Sequence, residues 1–147
     1  MREAVVNNIP TFGLSHMDEK ELSSLRAIKL DLLISCGFSI ILPEFVLSLP
    51  RIGCINVHIA LLPKQSGATL CGHVILQNES ESGGTIHVTD EGIDSGEILM
   101  QERFTLEPED NSVDVYYALC AFTEKMILDT VNTIAKQDFT HAIHQDQ

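Results

Sequence analysis

Three features of the sequence predict an α/β fold. Two short runs, "LDLLISC" at residues 30–36 and "GCINV" at residues 53–57, are apolar almost without interruption, as strands covered on both faces of a parallel sheet must be. Two later runs, "TIHVT" at residues 85–89 and "EILMQERFTL" at residues 97–106, are separated by the short connection "DEGIDSG" and read as β, the first of them alternating apolar with polar. A long segment over residues 112–136 carries Tyr116, Leu119, Met126, Ile127 and Ile134 along one stripe. The expected architecture is a Rossmann-like, mostly parallel sheet with flanking helices.

The elements follow in order. Ser15 stands before Asp18 at capping-box spacing, and Leu22, Leu25 and Ile28 then recur at helical intervals, which predicts a helix over residues 16–28. Gly37 ends the first buried strand. "LPEFVLSLP" is a short helix opened by Pro43 and closed by Pro50, and residues 67–76 read as another helix. "QNESESGG", residues 77–84, reads as a polar loop. The acidic stretch "EPEDN" opens the final helix.

Length and charge limit the function classes. A chain of 147 residues holds at most one domain with one sizeable core, here assigned to residues 1–137, with a polar tail at 138–147 that carries His141 and His144. Nine Lys plus Arg against 21 Asp plus Glu give a net charge of −12, which argues against a nucleic-acid partner. No apolar segment is long enough to span a bilayer or to act as a signal peptide, so no membrane partner is expected. Cys36, Cys54, Cys71 and Cys120 lack CxxC spacing and read as reduced structural thiols, implying a cytoplasmic chain.

Chemistry concentrates in two stretches. In "INVHIALLP" the side chains of Asn56 and His58, two apart on a strand, project to the same side at the strand's carboxyl end, where open α/β sheets place ligands. An isolated N-x-H is more often structural: Asn56 then satisfies loop backbone and His58 is an edge histidine. "VTDEGIDSGEIL" gathers Asp90, Glu91 and Asp94 around two glycines, and Ile93 beside Asp94 offers the apolar wall that lets a carboxylate orient and charge a histidine. His73, on a helix, and His87, on the polar face of an alternating strand, read as structural. A metal site on His58, His73, His87 and Asp94 has no recognised ligand spacing, so no metal is expected.

Taken together, "CGFSIILPEFVLSLPRIGCINVHIALLPKQSGA" and "GGTIHVTDEGIDSGEILMQ" resemble the folate-dependent formyltransferase family, whose members act on methionyl-tRNA, glycinamide ribonucleotide and sugar amines. The resemblance runs from about residue 9 to residue 136 and combines a glycine-aromatic strand end, N-x-H-x-x-L-L-P and D-E-G-x-D-[ST]-G in order. It implies a catalytic trio of Asn56, His58 and Asp94. It further implies a pterin site formed by Phe38, Ile40, Ile41 and Leu42 with the backbone of Asp90, Glu91 and Gly92. The co-substrate implied is 10-formyltetrahydrofolate, and the partner an amine acceptor, small or nucleotide-linked.

The chain departs from the family pattern at Ala60 and Ser66. "REAVVNNIPTFG" resembles the helix and strand that follow the family's first strand and Gly-rich loop, so the expectation is an N-terminally shortened version of the fold. Its exposed sheet edge would be open to pairing with a second copy. A methionyl-tRNA formyltransferase fragment, a deformylase using water as acceptor, and an inactive folate-binding remnant stay open as alternatives.

Overall fold

The computed structural model describes residues 2–11, 23, 25–67 and 70–136. The chain forms two compact units, Met1–Leu30 and Asp31–Gln147. The first contains α1 (Arg2–Val6), which ends at Asn8 in the left-handed region at φ 54, a conformation asparagine tolerates. The Ile9 amide then closes the helix end on the Ala4 carbonyl at 2.8 Å. Residues 9–11, expected to begin a strand, join no ladder, and Phe12 lies outside the described residues. Of the helix expected over residues 16–28, residues 23 and 25–27 are helical, and 16–22 and 24, with the Ser15 cap, lie outside the described residues.

The second unit runs β1 (Leu32–Cys36), α2 (Glu44–Leu47), β2 (Gly53–His58), α3 (Leu70–Leu76), β3 (Glu81–Val88), β4 (Ile98–Thr105) and α4 (Ser112–Ala135). The four strands form one sheet in the order β1-β2-β3-β4. The first pair is parallel and the other two are antiparallel, so among the described strands the sheet is mixed. The connection from β3 to β4 is too short for a crossover, which leaves only the antiparallel arrangement.

β1, expected to be covered on both faces, pairs on one side only among the described strands, and Ile34 is 40% exposed. The fully covered strand is β3, buried continuously from residue 82 to 87. It also starts earlier than expected, taking in Glu81 to Gly84 from what the sequence suggested was loop. Gly83 makes this possible: a Cβ there would collide with the Glu102 carbonyl oxygen of β4 and with the Leu61 side chain.

Alternation sorts the two faces of the sheet. Ile55, Val57 and Ile86 pack with Met126 and Ile134 of α4 in one core cluster, joined by Leu99, Met100 and Ile127. A second cluster of Val74, Leu106, Val115 and Leu119 ties α3 to the start of α4. The buried stripe of α4 is Val115, Leu119, Thr123, Met126, Thr130 and Ile134, which leaves Tyr116 49% exposed instead of in the core. The two threonines hide this stripe from a hydropathy reading, yet both are satisfied: Thr123 donates to the Leu119 carbonyl at 2.8 Å and Thr130 to Met100 Sδ at 3.7 Å.

Asn111 caps α4. Its side-chain oxygen accepts from the Val113 amide at 2.9 Å, and the Asp114 carboxylate accepts from the Asn111 amide at 3.1 Å, completing a capping box. All four cysteines are free. Only Cys54 is buried, where burial pushes its thiol pKa up; Cys36 and Cys120 are exposed. Among the described residues no helix is long and apolar enough to cross a membrane.

The reassigned face of α4 is open to a direct check. Met126→Ala removes a fully buried side chain from the first cluster and should cost about 2–5 kcal/mol. Tyr116→Ala should stay within about 0.5 kcal/mol of the parent. Urea unfolding midpoints for the two variants measure both, and equal losses would restore Tyr116 to the core.

Candidate active site

The face of the sheet opposite α4 is polar and also buried. In the β2–β3 register Asn56 lies opposite His87 and His58 opposite Thr85, and in the β3–β4 register Thr85 lies opposite Gln101. Residues directly opposite in antiparallel strands share a face, so these five side chains form one continuous polar patch. His87 is 2% exposed and Thr85 0% exposed. Buried polar groups must be paired, and the pairing found here fixes their roles.

His87 Nδ1 lies 2.8 Å from the Val88 carbonyl oxygen, an acceptor only, so Nδ1 carries a hydrogen and donates it. Burial pushes the His87 pKa below its ordinary 6.5, with the His58 ring adding to the lowering and the Val88 carbonyl, Asp94 and Asp90 opposing it. The ring is therefore neutral and its Nε2 is an acceptor. Asn56 Nδ2, 3.1 Å away, donates to it. The amide of Asn56 is thus held by a histidine on the neighbouring strand, with its second N–H directed elsewhere.

His58 Nε2 lies 2.6 Å from the Gln65 carbonyl oxygen and donates to it by the same reasoning. That leaves Nδ1 facing Asp94, whose Oδ2 is 3.6 Å away. The other carboxylate oxygen of Asp94 is 3.6 Å from His87 Nε2, so one carboxylate stands between two imidazoles whose centroids are 6.3 Å apart.

The loop that delivers Asp94 is built from its own short polar residues. Asp90 accepts from the Gly92 amide at 3.0 Å and from the Ser95 hydroxyl at 2.9 Å, folding the turn back on itself. A Cβ on Gly96 would run into the Val88 carbonyl oxygen, so the chain can close against β3 only with glycine there. Asp94 adopts φ 54, and its Oδ2 accepts from the Gly67 amide at 2.8 Å, tying this loop to the one that follows β2. Ile93, expected as an apolar wall, is exposed; the shelter around Asp94 comes from the two histidines instead.

The structure therefore gathers Asn56, His58 and Asp94, and adds His87, which the sequence analysis placed on the polar face of an alternating strand and read as structural. The pattern that could have found it is the polar pair Thr85 and His87 on the side of β3 opposite the apolar Ile86. A cavity of about 580 Å³ lies alongside, lined by Glu44, Leu47 and Ser48 of the α2 region and by Asp90, Glu91 and Gly92. The segment 90–92 is where the pterin site was expected. Phe38, Ile40 and Ile41 are exposed and Leu42 is half-buried, and none of the four lines this cavity.

Comparison with known proteins identifies the family. Residues 7–131 match the family model described as formyl transferase. The chain is 38% identical over 117 residues to a methionyl-tRNA formyltransferase of Wolbachia, covering 80% of this chain and 39% of that protein. To one from Legionella pneumophila it is 34% identical over 133 residues, covering 90% and 42%. Among solved structures, phosphoribosylglycinamide formyltransferase from Anaplasma phagocytophilum superposes with a TM-score of 0.83 at 28% identity, covering 91% of this chain and 67% of that one. An N-formyltransferase from Helicobacter canadensis, in complex with folinic acid and dTDP-3-aminofucose, gives 0.81 at 25% identity, covering 99% and 50%. The chain spans less than half the length of the curated relatives it matches, and over that span it belongs to the formyl transferase family.

Proposed function

We propose that the chain transfers a formyl group from 10-formyltetrahydrofolate to an amine. The observation that carries this reading is the buried cluster itself: an amide donor aimed by one histidine, beside a second histidine whose Nδ1 faces a carboxylate. The folate would supply the activated formyl carbon. The open groove beside Asp90–Gly92 offers an apolar wall in Leu47 and the Glu44 and Glu91 carboxylates to accept pterin N–H groups.

The roles follow from the hydrogen-bond inventory. Attack by an amine puts negative charge on the formyl oxygen, and the second N–H of Asn56 Nδ2 is the donor placed to meet it. The proton lost by the attacking amine enters His58 at Nδ1, because Nε2 already carries one. It would pass from there to the folate nitrogen as that nitrogen's bond to the formyl carbon breaks and tetrahydrofolate leaves. The intervening imidazolium is matched by Gln65 on one side and Asp94 on the other.

A second reading concerns the acceptor. The curated relatives are named for methionyl-tRNA, which favours an aminoacyl amine, while the neighbour from Helicobacter canadensis holds an amino sugar nucleotide. With a net charge of −12, these residues offer tRNA little phosphate attraction. Assaying both amine classes with 10-formyltetrahydrofolate decides between them. Formate release with neither acceptor present would mark a deformylase.

Substitution should separate the roles. Asn56→Ala removes one oxyanion donor and should lower kcat roughly a hundred- to a thousandfold. Asn56→Asp should be slower still, since it sets a charge where charge must develop and turns an acceptor toward the His87 lone pair. Asp94→Asn should also lower kcat, by leaving the proton on His58 unmatched. Near-parental kcat for both Asn56 variants would remove the residue from the reaction.

Folate binding is separable from turnover. The cavity is formed by described residues alone, so a non-hydrolysable folate analogue should bind saturably to the Asn56→Ala protein as well as to the parent. Calorimetric titration that showed no binding to either would overturn the assignment of the cavity.

The lowered pKa of His87 has a consequence for stability. Below about pH 6.5 the unfolded chain takes up a proton at this position that the folded chain resists, so stability declines as the pH falls toward the folded-state value. Protonation would also convert Nε2 to a donor, which can no longer accept from Asn56 and turns to Asp94. His87→Gln should show a smaller loss of unfolding free energy between about pH 7 and about pH 5.5 than the parent. Identical slopes would mean that His87 does not titrate differently on folding.

A further inference from the structure

We infer that Gln101 and Thr85 are positioning residues that set the tautomer and orientation of His58 by clamping the loop after β2. This inference rests on the formyl-transfer reading for its consequence in turnover, but its geometry stands independently. His58, Thr85 and Gln101 occupy one rung across three adjacent strands, and the loop of residues 59–67 folds back over them.

The clamp satisfies every polar atom it buries. Thr85 Oγ1 donates to the Ala60 carbonyl at 2.6 Å and accepts from the Leu62 amide at 3.2 Å. Gln101 Nε2 donates twice, to Thr85 Oγ1 at 3.0 Å and to the Leu62 carbonyl at 2.9 Å. Both backbone groups of Leu62 and the carbonyl of Ala60 are thereby pinned to β3 and β4.

Leu61, between them, passes the constraint on. Its amide donates to Gln65 Oε1 at 3.2 Å, and its carbonyl accepts from the Gln65 amide at 3.1 Å. Gln65 is held at side chain and backbone alike, and its carbonyl receives His58 Nε2–H at 2.6 Å. A carbonyl oxygen in that place accepts only a proton-bearing nitrogen, so the clamp selects the Nε2–H tautomer and turns Nδ1 toward Asp94. Without it, the Leu61–Gln65 bonds and the Gly67–Asp94 bond still shape the loop, but neither anchors Ala60 and Leu62 to the sheet, so the Gln65 carbonyl loses its fixed height over the ring.

The test reads the tautomer directly in the full chain without substrate. Long-range nitrogen–proton correlation spectra of ring-labelled His58 near pH 7.5 should show Nε2–H in the parent. They should show a mixture of tautomers in Gln101→Leu and in Thr85→Val, with recovery in Thr85→Ser, which keeps the hydroxyl. Turnover in the first two should fall between about ten- and a hundredfold, with folate-analogue affinity within about twofold of the parent. Thr85 is fully buried; if Thr85→Val does not fold, Gln101→Leu, at a half-buried site, carries the test. An unchanged His58 spectrum in folded Gln101→Leu overturns the inference. A shifted spectrum in a chain that transfers no formyl group to any amine supports the clamp and overturns the function.

Discussion

Five polar side chains on one face of a sheet, three of them buried and two half-buried, impose the condition from which the rest of the site follows. Asn56, His58, Thr85, His87 and Gln101 are brought together by strand register alone, and leaving any of them unpaired would cost on the order of 1–3 kcal/mol. Each bond that removes this cost also removes a degree of freedom. Val88 decides which nitrogen of His87 bears its hydrogen, His87 then decides how the Asn56 amide lies, and Gln65 does for His58 what Val88 does for His87.

The loops that follow β2 and β3 leave opposite ends of this antiparallel pair and complete the patch between them. One supplies the Gln65 carbonyl, the other the Asp94 carboxylate, and the Gly67 amide joins them at 2.8 Å. Both depend on close approach to the sheet. Leu61 lies over Gly83, and Gly96 lies against Val88, so one glycine near each end of β3 lets a loop approach the sheet there. Asp94 stands 3.6 Å from a nitrogen of each imidazole, so a proton gained by either ring would meet a carboxylate.

On the opposite face the requirement is apolar and is met by α4. Ile55, Val57 and Ile86 project there, and the helix answers with Met126 and Ile134, its threonines folded onto backbone or sulfur acceptors. β2 and β3 are therefore two-sided: each alternates, yet neither has a solvent face over its central residues. The rigid apolar layer behind the sheet holds the polar layer in front of it, which is the usual way precise geometry is obtained from a loop-bordered site.

Local sequence was enough to determine the α/β class and the order and nearly the bounds of α2, β2, β4 and α4; Asn56, His58 and Asp94 were singled out by the family resemblance, and the structure brings the three together. Runs of apolar residues, proline and glycine punctuation, and the two motifs are all properties of short segments. Alternation along β3 was legible as well, but its meaning was not. A polar residue on an alternating strand faces either water or a site; the pair Thr85 and His87 marks such a face in the sequence, but only the approach of a second strand and a returning loop makes it a site and brings Gln101 to it. The burial of Tyr116 failed as an expectation for a related reason: helical phase near a 100° step is shared by neighbouring stripes, and packing against Ile86 chose the one containing Thr123 and Thr130. Tautomers, and with them the direction of every proton at the site, were decided last, by carbonyl oxygens whose positions exist only once the sheet and its loops have closed together.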